Sequence, residues 1–600
     1  MQDIRGKGRL PESGGVSEGE TRAWRDLLGE SPERVAFDTA VRDGAAKEVL
    51  GPWLAFGTAG IRAQRGPGKM HFNQATLSAV ALAVLRTLDK PGARVVLGCD
   101  ARVGGHAAMV NCAERLARAG ARALWLPEPV PTPLVAFLAK DMRADLAIMV
   151  TASHNPPDYN GAKFFDGEGA QLDDAPCVQA TAWLLENTLE SVARALLGTR
   201  PEEGVSARAR DASAPPGSVE RVSDAAFSAM ADAYITHIKQ TLAAHVPSYM
   251  PVIAVTPLQG VGGVWLERAL EGACGTLDFV ASEREPDGTF AAVASPNPEV
   301  ATALDPLRAQ LSESCPLGLA LDPDADRLAV VERQPLTGEM RTFQGNEIGL
   351  ILATFASWSP SEGPAAGLPT ASPPGERPIV LTSVVSSAGL EIVGARLGFE
   401  VLRSGTGFRR ITALKRALGP RARHVVLSFE EALGFALGPD VHDKDGLQAA
   451  LALLRARAYF ERALNTNLLG TLACIDARVG CWRSTSRSVD LQGRPWATDA
   501  LEARRRLAVA GAAVAPLFAD ALQQPQVEAL AAMAHPLAGD AGQGWNMRLG
   551  TKGRVALRSS GTEPKLKLYF DRCHEQLDDD EARAAVEAVA TKFTAAFLAG

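Results

Sequence analysis

Short apolar runs alternate with amphipathic stretches along most of the chain. Residues 93–102 predict a strand that ends in a loop, and 104–120 predict a helix. A strand at 121–129, a helix at 133–142 and a second strand with its loop at 144–156 follow in the same manner. This alternation predicts an α/β layer architecture.

The pattern restarts after a polar segment at 198–225, whose Pro, Gly and Ser residues predict a linker or a surface insertion. A third unit is interrupted at 359–378 by a segment with the composition of a disordered loop. The last unit has two strands around a polar turn at 553–570 and a terminal amphipathic helix. We therefore predict three comparable α/β units and a different fourth, with the bounds 1–200, 226–335, 336–470 and 471–600.

Composition narrows the function classes. The chain has 600 residues, 46% hydrophobic and 22% charged, which is ordinary for a globular protein. The net charge is −7 and no basic stripe is present, so we expect no nucleic acid partner. The eight scattered cysteines include no C-x-x-C pair, which favours reduced thiols in a cytoplasmic protein. No apolar run approaches the ~20 residues of a membrane span, and no signal peptide is evident, so we expect no membrane association.

One polar segment, DPDADR, carries three aspartates at alternate positions: Asp322, Asp324 and Asp326. Alternate residues of an extended chain point to the same side, so the three carboxylates can converge on one hard cation such as Mg²⁺ or Ca²⁺. An EF-hand is excluded because Arg327 and Arg333 occupy its Gly and Glu positions. The alternative is a solvated acidic turn, although carboxylates crowded beside apolar strands would repel one another without a cation.

A second polar segment, TASHNPPDYNGAK, follows an apolar run and contains Ser153. The G-x-S-x-G elbow of a serine hydrolase is absent. Ser153 and Asn155 could simply satisfy backbone groups of a turn. With His154 and Lys163, however, the loop would attract a phosphate. The residues alone leave both interpretations open.

Further polar turns contain residues that could bind a phosphate or a sugar. RSSGTEPK, at 558–565, offers two cations, three hydroxyls and a glycine, which suits either a phosphate cradle or a capped hairpin turn. Adjacent glutamates at 430–431, with HDKDG at 442–446, could accept hydrogen bonds from sugar hydroxyls, but such pairs are also common at helix starts. The segments 56–63 and 404–410 are Gly-rich turns that contain arginines.

Together, FGTAGIR, TASHNP, DPDADR, EEALGF with DKDG, and RSSGTEPK occur in the order found in the α-D-phosphohexomutases. The chain resembles this family of phosphoglucomutases and phosphomannomutases from residue 56 to residue 565, and its motifs are most similar to the phosphoglucomutase-2-like and phosphopentomutase-like branch. The resemblance implies four domains around a central cleft. Three would be related mixed α/β sheet domains, and the C-terminal domain would be α+β.

The resemblance also implies an isomerase, specifically an intramolecular phosphotransferase. A phosphoserine would donate its phosphoryl group to a hexose monophosphate, glucose first and mannose second. The bisphosphorylated intermediate would reorient and return its other phosphate. Mg²⁺ would be the metal and glucose 1,6-bisphosphate the activator. The partners would be small sugar phosphates, and we expect a monomer or a small homo-oligomer.

The matching positions imply the following roles. The catalytic residues would be Ser153, Lys163, Arg62 and His154. The metal ligands would be Ser153, Asp322, Asp324 and Asp326. The substrate would be bound by Glu430, Thr406, Gly407, Arg409, Lys444, Arg558, Ser560, Gly561 and Thr562. Arg327 would contact the phosphoserine or its ligands.

Two departures from the family pattern bear on specificity. Ala432 stands where many members carry a serine that touches the sugar, and Gln259 replaces a frequent histidine. The first keeps open a phosphopentomutase acting on ribose 1-phosphate and ribose 5-phosphate. A phosphatase is disfavoured because the RSSGTEPK turn would hold a second phosphate, which a phosphatase does not need. A non-catalytic sensor is disfavoured because Ser153, Lys163 and the three aspartates are all present.

Overall fold

The structure is a computed structural model of the chain. It describes residues 16–57, 59–198, 203–204, 217–241, 250–357, 377–490, 500–518, 535–536, 544–549, 553–559, 565–574 and 579–599. Among these residues, no helix is both long and apolar enough to cross a membrane.

The first sheet is built from β1 (Ile61–Gln64), β2 (Arg94–Cys99), β3 (Arg122–Trp125), β4 (Leu146–Val150), β5 (Tyr159–Asp166), β6 (Glu203–Gly204) and β7 (Val219–Arg221). The strand order is β1-β5-β4-β2-β3-β7-β6. The central strands pair in parallel, whereas β5 is antiparallel to both β4 and β1. The helices of this part are α1 (Glu18–Leu28), α2 (Pro32–Arg42), α3 (Ala46–Val49), α4 (Gln74–Thr87), α5 (Gly105–Arg118), α6 (Thr132–Asp141), α7 (Asp174–Glu186) and α8 (Leu189–Leu197).

The second sheet contains β8 (Met250–Thr256), β9 (Cys274–Phe279), β10 (Leu317–Leu321), β11 (Leu328–Arg333) and β12 (Met340–Thr342), in the order β12-β11-β10-β8-β9. Its helices are α9 (Asp224–Thr241), α10 (Gly262–Leu270) and α11 (Asp305–Gln310). The third sheet contains β13 (Ile379–Ser383), β14 (Glu400–Ser404), β15 (Val425–Glu430) and β16 (Gly434–Leu437), in the order β14-β13-β15-β16. Its helices are α12 (Gly345–Ala356), α13 (Leu390–Leu397), α14 (Phe408–Ala417), α15 (Gly446–Leu464) and α16 (Leu468–Val479).

The fourth sheet is antiparallel throughout its described strands. They are β17 (Cys481–Asp490), β18 (His535–Pro536), β19 (Gly544–Leu549), β20 (Gly553–Ser559) and β21 (Lys565–His574), in the order β17-β21-β20-β19-β18. Its helices are α17 (Ala500–Val514) and α18 (Asp579–Ala599). Short 3₁₀ helices occur at Ala301–Leu304, Gly419–His424 and Ala515–Phe518.

The first three sheets share one arrangement. In each, a buried parallel strand ends in a polar loop, and the chain returns beside it as an antiparallel strand: β4–β5, β10–β11 and β15–β16. The remaining core strands also lie in equivalent order, β4-β2-β3, β10-β8-β9 and β15-β13-β14. Residues of β4, β10 and β13 are buried throughout, which is why these segments are continuous apolar runs in the sequence. The prediction of three related α/β units and a different fourth is confirmed.

The predicted domain bounds remain a prediction. The first sheet extends past residue 200, because β7 lies in the segment predicted as a linker and pairs in parallel with β3. Most of the predicted loop at 359–378 lies outside the described residues.

The fourth unit has its own apolar core between its sheet and the helices α17 and α18. A second large cluster of buried side chains, from Val96 to Val479, is shared by the first three units, and the first unit has a further core of its own from Ala23 to Val219. Polar contacts attach the fourth unit to the third. Arg554 of β20 donates hydrogen bonds to Val384 O at 2.6 Å and to Ser386 O at 2.7 Å. The fourth unit therefore has a core of its own and is joined to the third unit by buried polar and apolar contacts.

Gly60, which precedes β1, has a backbone that only glycine fits. Its φ is +73°, and a Cβ atom there would lie 2.0 Å from Ala162 O of β5. We expect Gly60→Ala to lower the free energy of unfolding by about 3 kcal/mol, because overpacking adds to the cost of the left-handed backbone. Urea denaturation would measure this loss.

Gly44 is the matched control. Its φ is +81°, but nothing lies within 4 Å of the position of an added Cβ. Gly44→Ala should therefore cost only about 1 kcal/mol, the backbone part of the effect. Equal losses in the two variants would show that the contact with Ala162 does not restrict this position.

Candidate active site

Three polar loops meet where the hairpins β4–β5, β10–β11 and β15–β16 turn. The first two meet directly where Ser153 Oγ donates a hydrogen bond to Asp322 Oδ2 at 2.9 Å. Each loop also contains a non-glycine residue with positive φ: Ser153 at +54°, Ala325 at +57° and Leu433 at +63°. Such strained residues cluster at functional sites because the surrounding structure must hold them in place.

Arg102, three residues after β2, fixes the backbone of the Ser153 loop. Its guanidinium donates hydrogen bonds to four backbone carbonyls of the loop, those of Ser153 and Asn155 at 2.6 Å, Pro156 at 2.8 Å and Tyr159 at 3.0 Å. Arg102 is itself buried, and its Nε lies 3.3 Å from Asp100 Oδ2. Burial raises the pKa of Asp100 to about 6, despite the opposing effect of Arg102. The loop is thus fixed by a buried ion pair.

Sequence reasoning missed Asp100 and Arg102. The signal is an Asp-x-Arg sequence directly after the apolar run of β2. Because β2 and β4 are adjacent parallel strands, their carboxyl ends lie at the same edge of the sheet. Thr151 was missed as well. Its hydroxyl donates to Asp100 Oδ2 at 2.6 Å and accepts a hydrogen bond from Ser153 N at 2.8 Å.

The three aspartates of the second loop are fully buried. Lys163 of β5 lies between two of them, with Nζ 2.6 Å from Asp324 Oδ2 and 2.5 Å from Asp326 Oδ2. Lys163 is only 1% exposed, so these contacts are shielded from water. The first unit therefore supplies the cation that the acidic loop of the second unit requires.

The pKa values in this cluster diverge. Burial raises the pKa of Asp322 well above its ordinary value, and its two acidic neighbours add to the rise. Burial would also raise the pKa of Asp326, but Lys163 and Lys444 outweigh it and hold that pKa far below the usual range. Burial opposes the charge of Lys163, yet the two carboxylates raise its pKa overall. Lys163 is accordingly an ammonium ion at neutral pH.

The acidic loop also fits a metal ion. One oxygen from each aspartate lies within 4.8 Å of the others. Asp324 Oδ1 and Asp326 Oδ1 are buried and have no hydrogen-bond partner among the described residues. Buried carboxylate oxygens without partners are the donors that a hard divalent cation prefers. Thr132, which sequence reasoning missed, orients Asp324 by donating to its Oδ2 at 2.5 Å.

His154 and Arg62 lie beside the serine. His154 Nδ1 is 3.1 Å from Ser153 Oγ. Burial, followed by the charges of Arg327 and Arg62, lowers the pKa of His154 well below its ordinary value, so the ring is neutral. Arg62 of β1 donates to Asn155 Oδ1 at 3.2 Å. The four residues predicted as catalytic are thus brought together.

Arg327 connects the acidic loop to the third unit. Its Nη1 donates to Glu299 Oε1 at 2.9 Å and to Ala432 O at 3.0 Å. Its Nε lies 3.9 Å from Asp322 Oδ2 and 3.8 Å from Asp326 Oδ1. Arg327 therefore positions the glutamate loop against the aspartates, a role that sequence reasoning did not foresee.

Lys444 and Glu430 face the acidic loop from the third unit. Lys444 Nζ lies 3.5 Å from Asp326 Oδ2 and also 3.5 Å from Asp443 Oδ1. Burial raises the pKa of Glu430, which ends β15, although Lys444 and Arg327 oppose this effect. The adjacent Glu431 points elsewhere and accepts hydrogen bonds from the hydroxyls of Ser383 at 2.9 Å and Ser386 at 3.0 Å. The two adjacent glutamates thus have different surroundings: Glu430 lies near Lys444 and Arg327, whereas Glu431 binds two serines.

The predicted residues at 406–409 begin helix α14. Thr406 is buried, and Gly407 has a φ of +98° at the N-cap. Arg409, in contrast, pairs with Asp174 of α7 at 2.6 Å. In this conformation its guanidinium joins the third unit to the first.

The phosphate cradle is described only in part. Arg558 lies near the end of β20, whereas Ser560, Gly561 and Thr562 lie outside the described residues. A cavity of about 440 Å³ lies between the second, third and fourth units, and its lining includes Glu299, Glu431, Ala432, Lys567 and Tyr569. Burial raises the pKa of Tyr569 above its ordinary value, and the nearby Arg558 only partly opposes this effect.

Comparisons with known proteins agree with this geometry. Four models of the phosphoglucomutase/phosphomannomutase family match the chain. The α/β/α domain I model matches residues 54–182, domain II 232–338, domain III 344–469 and the C-terminal domain 512–590.

Individual proteins are also similar. A phosphopentomutase of Mus musculus is 30% identical over 68% of this chain and 64% of its own length, so the match spans less than two thirds of that relative. A phosphoglucomutase of Staphylococcus saprophyticus is 26% identical over 93% of this chain and 97% of its own length. The crystal structure of a phosphoglucomutase/phosphomannomutase family protein from Burkholderia thailandensis has a TM-score of 0.63 at 20% identity, covering 91% of this chain and 97% of that one.

Lys163 should be essential to the stability of the acidic loop. We expect Lys163→Met to lower the free energy of unfolding in EDTA by about 3–5 kcal/mol, because it leaves buried carboxylates without their cation. Added MgCl₂ should restore much of this loss. Urea denaturation with and without the metal would measure both effects.

Lys90→Met is the matched control. Lys90 also lies 2.5 Å from an aspartate, Asp145, but 61% of its side chain is exposed. Its removal should cost at most about 1 kcal/mol, with no response to the metal. If Lys163→Met were equally mild in EDTA, repulsion among the aspartates would not govern the loop.

Proposed function

The chain belongs to the phosphoglucomutase/phosphomannomutase family, the α-D-phosphohexomutases, and on this premise we propose that it interconverts hexose 1-phosphates and hexose 6-phosphates, glucose first and mannose second. The observation that carries the proposal is the contact of Ser153 Oγ with Asp322 beside the buried Lys163. It places a hydroxyl where a phosphoryl group would meet both the acidic loop and a fixed ammonium ion. Phosphoryl transfer depends on such positioning and charge neutralisation.

In the proposed reaction, phosphorylated Ser153 gives its phosphoryl group to the free hydroxyl of a sugar monophosphate. The bond between phosphorus and Ser153 Oγ breaks, a bond to the sugar oxygen forms, and the proton lost by the sugar hydroxyl ends on Ser153 Oγ, which is released as a hydroxyl. The bisphosphorylated sugar then reorients, and its other phosphate returns to Ser153. Lys163 and Arg62 neutralise phosphoryl oxygens. His154 Nδ1, which is 3.1 Å from Ser153 Oγ, lies within reach of the transferred proton.

We propose Mg²⁺ as the metal, held by Asp322, Asp324, Asp326 and the phosphate on Ser153. When bound, it would screen the charge that develops on the phosphoryl oxygens. Glucose 1,6-bisphosphate would act as activator because it can phosphorylate an unmodified Ser153.

The phosphate that is not reacting would be held by Arg558 with Ser560, Gly561 and Thr562. Glu430 and Lys444 would contact sugar groups that are present in both orientations. Thr406 and Gly407 belong to the same binding surface in this proposal. Arg409 would join them only if its pair with Asp174 opened.

A phosphopentomutase is the second candidate. The match to the Mus musculus phosphopentomutase favours it, as does Ala432, which presents no side-chain hydroxyl toward the cleft. The Staphylococcus saprophyticus phosphoglucomutase matches nearly the whole chain and favours the hexose. A cytoplasmic location is part of the proposal and is supported by the absence of disulfides among the eight cysteines. The oligomeric state stays a prediction.

Phosphorus NMR would test the function directly. The protein with Mg²⁺ and a trace of glucose 1,6-bisphosphate would receive glucose 1-phosphate, mannose 1-phosphate or ribose 1-phosphate in separate tubes. Formation of hexose 6-phosphates supports the proposal, and conversion of ribose 1-phosphate alone supports the pentomutase. Release of free phosphate would indicate a phosphatase, and binding without turnover a sensor.

Ser153→Ala should abolish turnover with every sugar while leaving the fold intact, because it removes the oxygen that carries the phosphoryl group. The rate of product formation and the circular dichroism spectrum would be measured together. Substantial mutase activity in this variant would rule out the phosphoserine mechanism.

Phosphorylation of Ser153 should strengthen metal binding. The modification adds about −1.5 to −2 charges beside the aspartates, so a divalent cation should gain at least tenfold in affinity. Isothermal titration with Mg²⁺ would compare the two forms of the wild type. The control is Ser153→Ala treated with glucose 1,6-bisphosphate, which should show no gain in affinity for Mg²⁺. Equal affinities in the two wild-type forms would contradict the placement of the phosphate at the metal.

A further inference from the structure

One face of helix α14 is directed at the loop that carries Lys444. Phe408, Thr412 and Lys415 are four and three residues apart, the spacing that aligns side chains along one side of a helix. All three are buried. The arginines of the same helix face the first unit instead: Arg409 pairs with Asp174, and Arg416 pairs with Asp166 at 2.6 Å.

Each residue of this face holds a different point of the loop. The Thr412 hydroxyl donates to His442 O at 2.6 Å. The Lys444 ammonium lies over the Phe408 ring, 5.1 Å from its centroid. Lys415 Nζ donates to Gly438 O at 2.8 Å and to Val441 O at 2.9 Å. Together these contacts fix the chain from residue 438 to residue 444.

Lys415 is an unusual residue to hold a loop in place, because it is a lysine whose side chain is buried. It is 1% exposed, and the partners of its Nζ are two backbone carbonyls rather than a carboxylate. Burial lowers the pKa of Lys415 to about 7, with Asp440 opposing and Lys140 reinforcing the effect. A neutral amine still has two N–H donors, which match the two carbonyls, so either protonation state can hold the loop.

The opposite side of the loop is held at its end, where Asp443 accepts hydrogen bonds from Gln171 Nε2 at 2.9 and 3.1 Å, but its middle borders an open space. A cavity of about 420 Å³ lies there, lined by Asp440, Val441 and Asp443 of the loop and by Phe137 and His237 across from them. Because no side chains fill this space, the loop is free to shift into it when its other contacts are removed. The position of Lys444, 3.5 Å from Asp326, therefore depends in part on α14, which holds the preceding residues of the loop.

We propose that Lys415 is a positioning residue for substrate binding, which acts by holding the backbone of residues 438–441 so that Lys444 stays beside the acidic loop. This inference rests on the proposed function only in assigning a substrate contact to Lys444. Lys415 itself touches no reacting group.

The first test measures backbone order and does not depend on activity. Hydrogen exchange of amides 438–446 should accelerate at least tenfold in Lys415→Met, because the loop loses two hydrogen bonds. Arg421→Met is the control. Arg421 also lies in the third unit, but its side chain is 56% exposed and pairs with Glu400. Unchanged exchange in Lys415→Met would overturn the proposal.

The second test is kinetic. For glucose 1-phosphate, Lys415→Met should raise KM about tenfold and change kcat less than threefold, because a binding contact is displaced while Ser153 is untouched. Thr412→Val, which loses one hydrogen bond, should raise KM about threefold. This milder variant provides the test if Lys415→Met does not fold.

A double variant separates positioning from general destabilisation. If Lys415 acts through Lys444, adding Lys415→Met to Lys444→Met should leave KM within about twofold of that of Lys444→Met alone. If the two substitutions together raised KM by the product of their separate effects, the proposal would be overturned. Accelerated exchange in a protein that turns over no sugar phosphate would refute the proposed function while leaving the positioning role in place.

Discussion

Repulsion among three buried carboxylates is the constraint on which this structure depends. Asp322, Asp324 and Asp326 are withdrawn from water within a single turn of chain, and such a cluster is stable only when cations are supplied. The second unit contributes Arg327, but the closest cation, Lys163, comes from the first unit and a further one, Lys444, from the third. The acidic loop therefore makes the association of three units a requirement for its own stability. The oxygens that remain without partners are then available to a metal ion.

The repeated hairpin explains how three units can serve one site. In each hairpin, a buried parallel strand is followed by an antiparallel strand that pairs with it, and the connecting loop lies at the carboxyl end of the parallel strand. The chemistry then differs by loop: a serine in the first, carboxylates in the second and glutamates in the third. Arg102 and Arg327 keep these loops in position by donating hydrogen bonds to backbone carbonyls, while Lys163 pairs with the acidic loop itself.

Basic residues in this molecule divide into groups that would meet a ligand and groups that hold the scaffold. Arg62, Lys163 and Lys444 face the site. Arg102, Arg409 and Lys415 are directed at other units or at backbone carbonyls. In the proposed reaction the sugar phosphate binds in two orientations, and this division would keep the cations around it fixed while it turns.

The sequence by itself determined the local features. Continuous apolar runs specified the buried strands, and helical periodicity specified α5 and α6, because these patterns depend only on neighbouring residues. The spacing of the aspartates and the order of the polar loops identified the acidic cluster and the serine, and the structure joins them at Ser153 and Asp322. Tertiary structure alone decided which cation meets which anion. It paired Lys163 with two aspartates more than 150 positions away, turned Arg409 toward Asp174, and extended the first sheet with β7. No local pattern encodes such contacts, because they arise only when strands and loops distant in sequence are packed at the same edge.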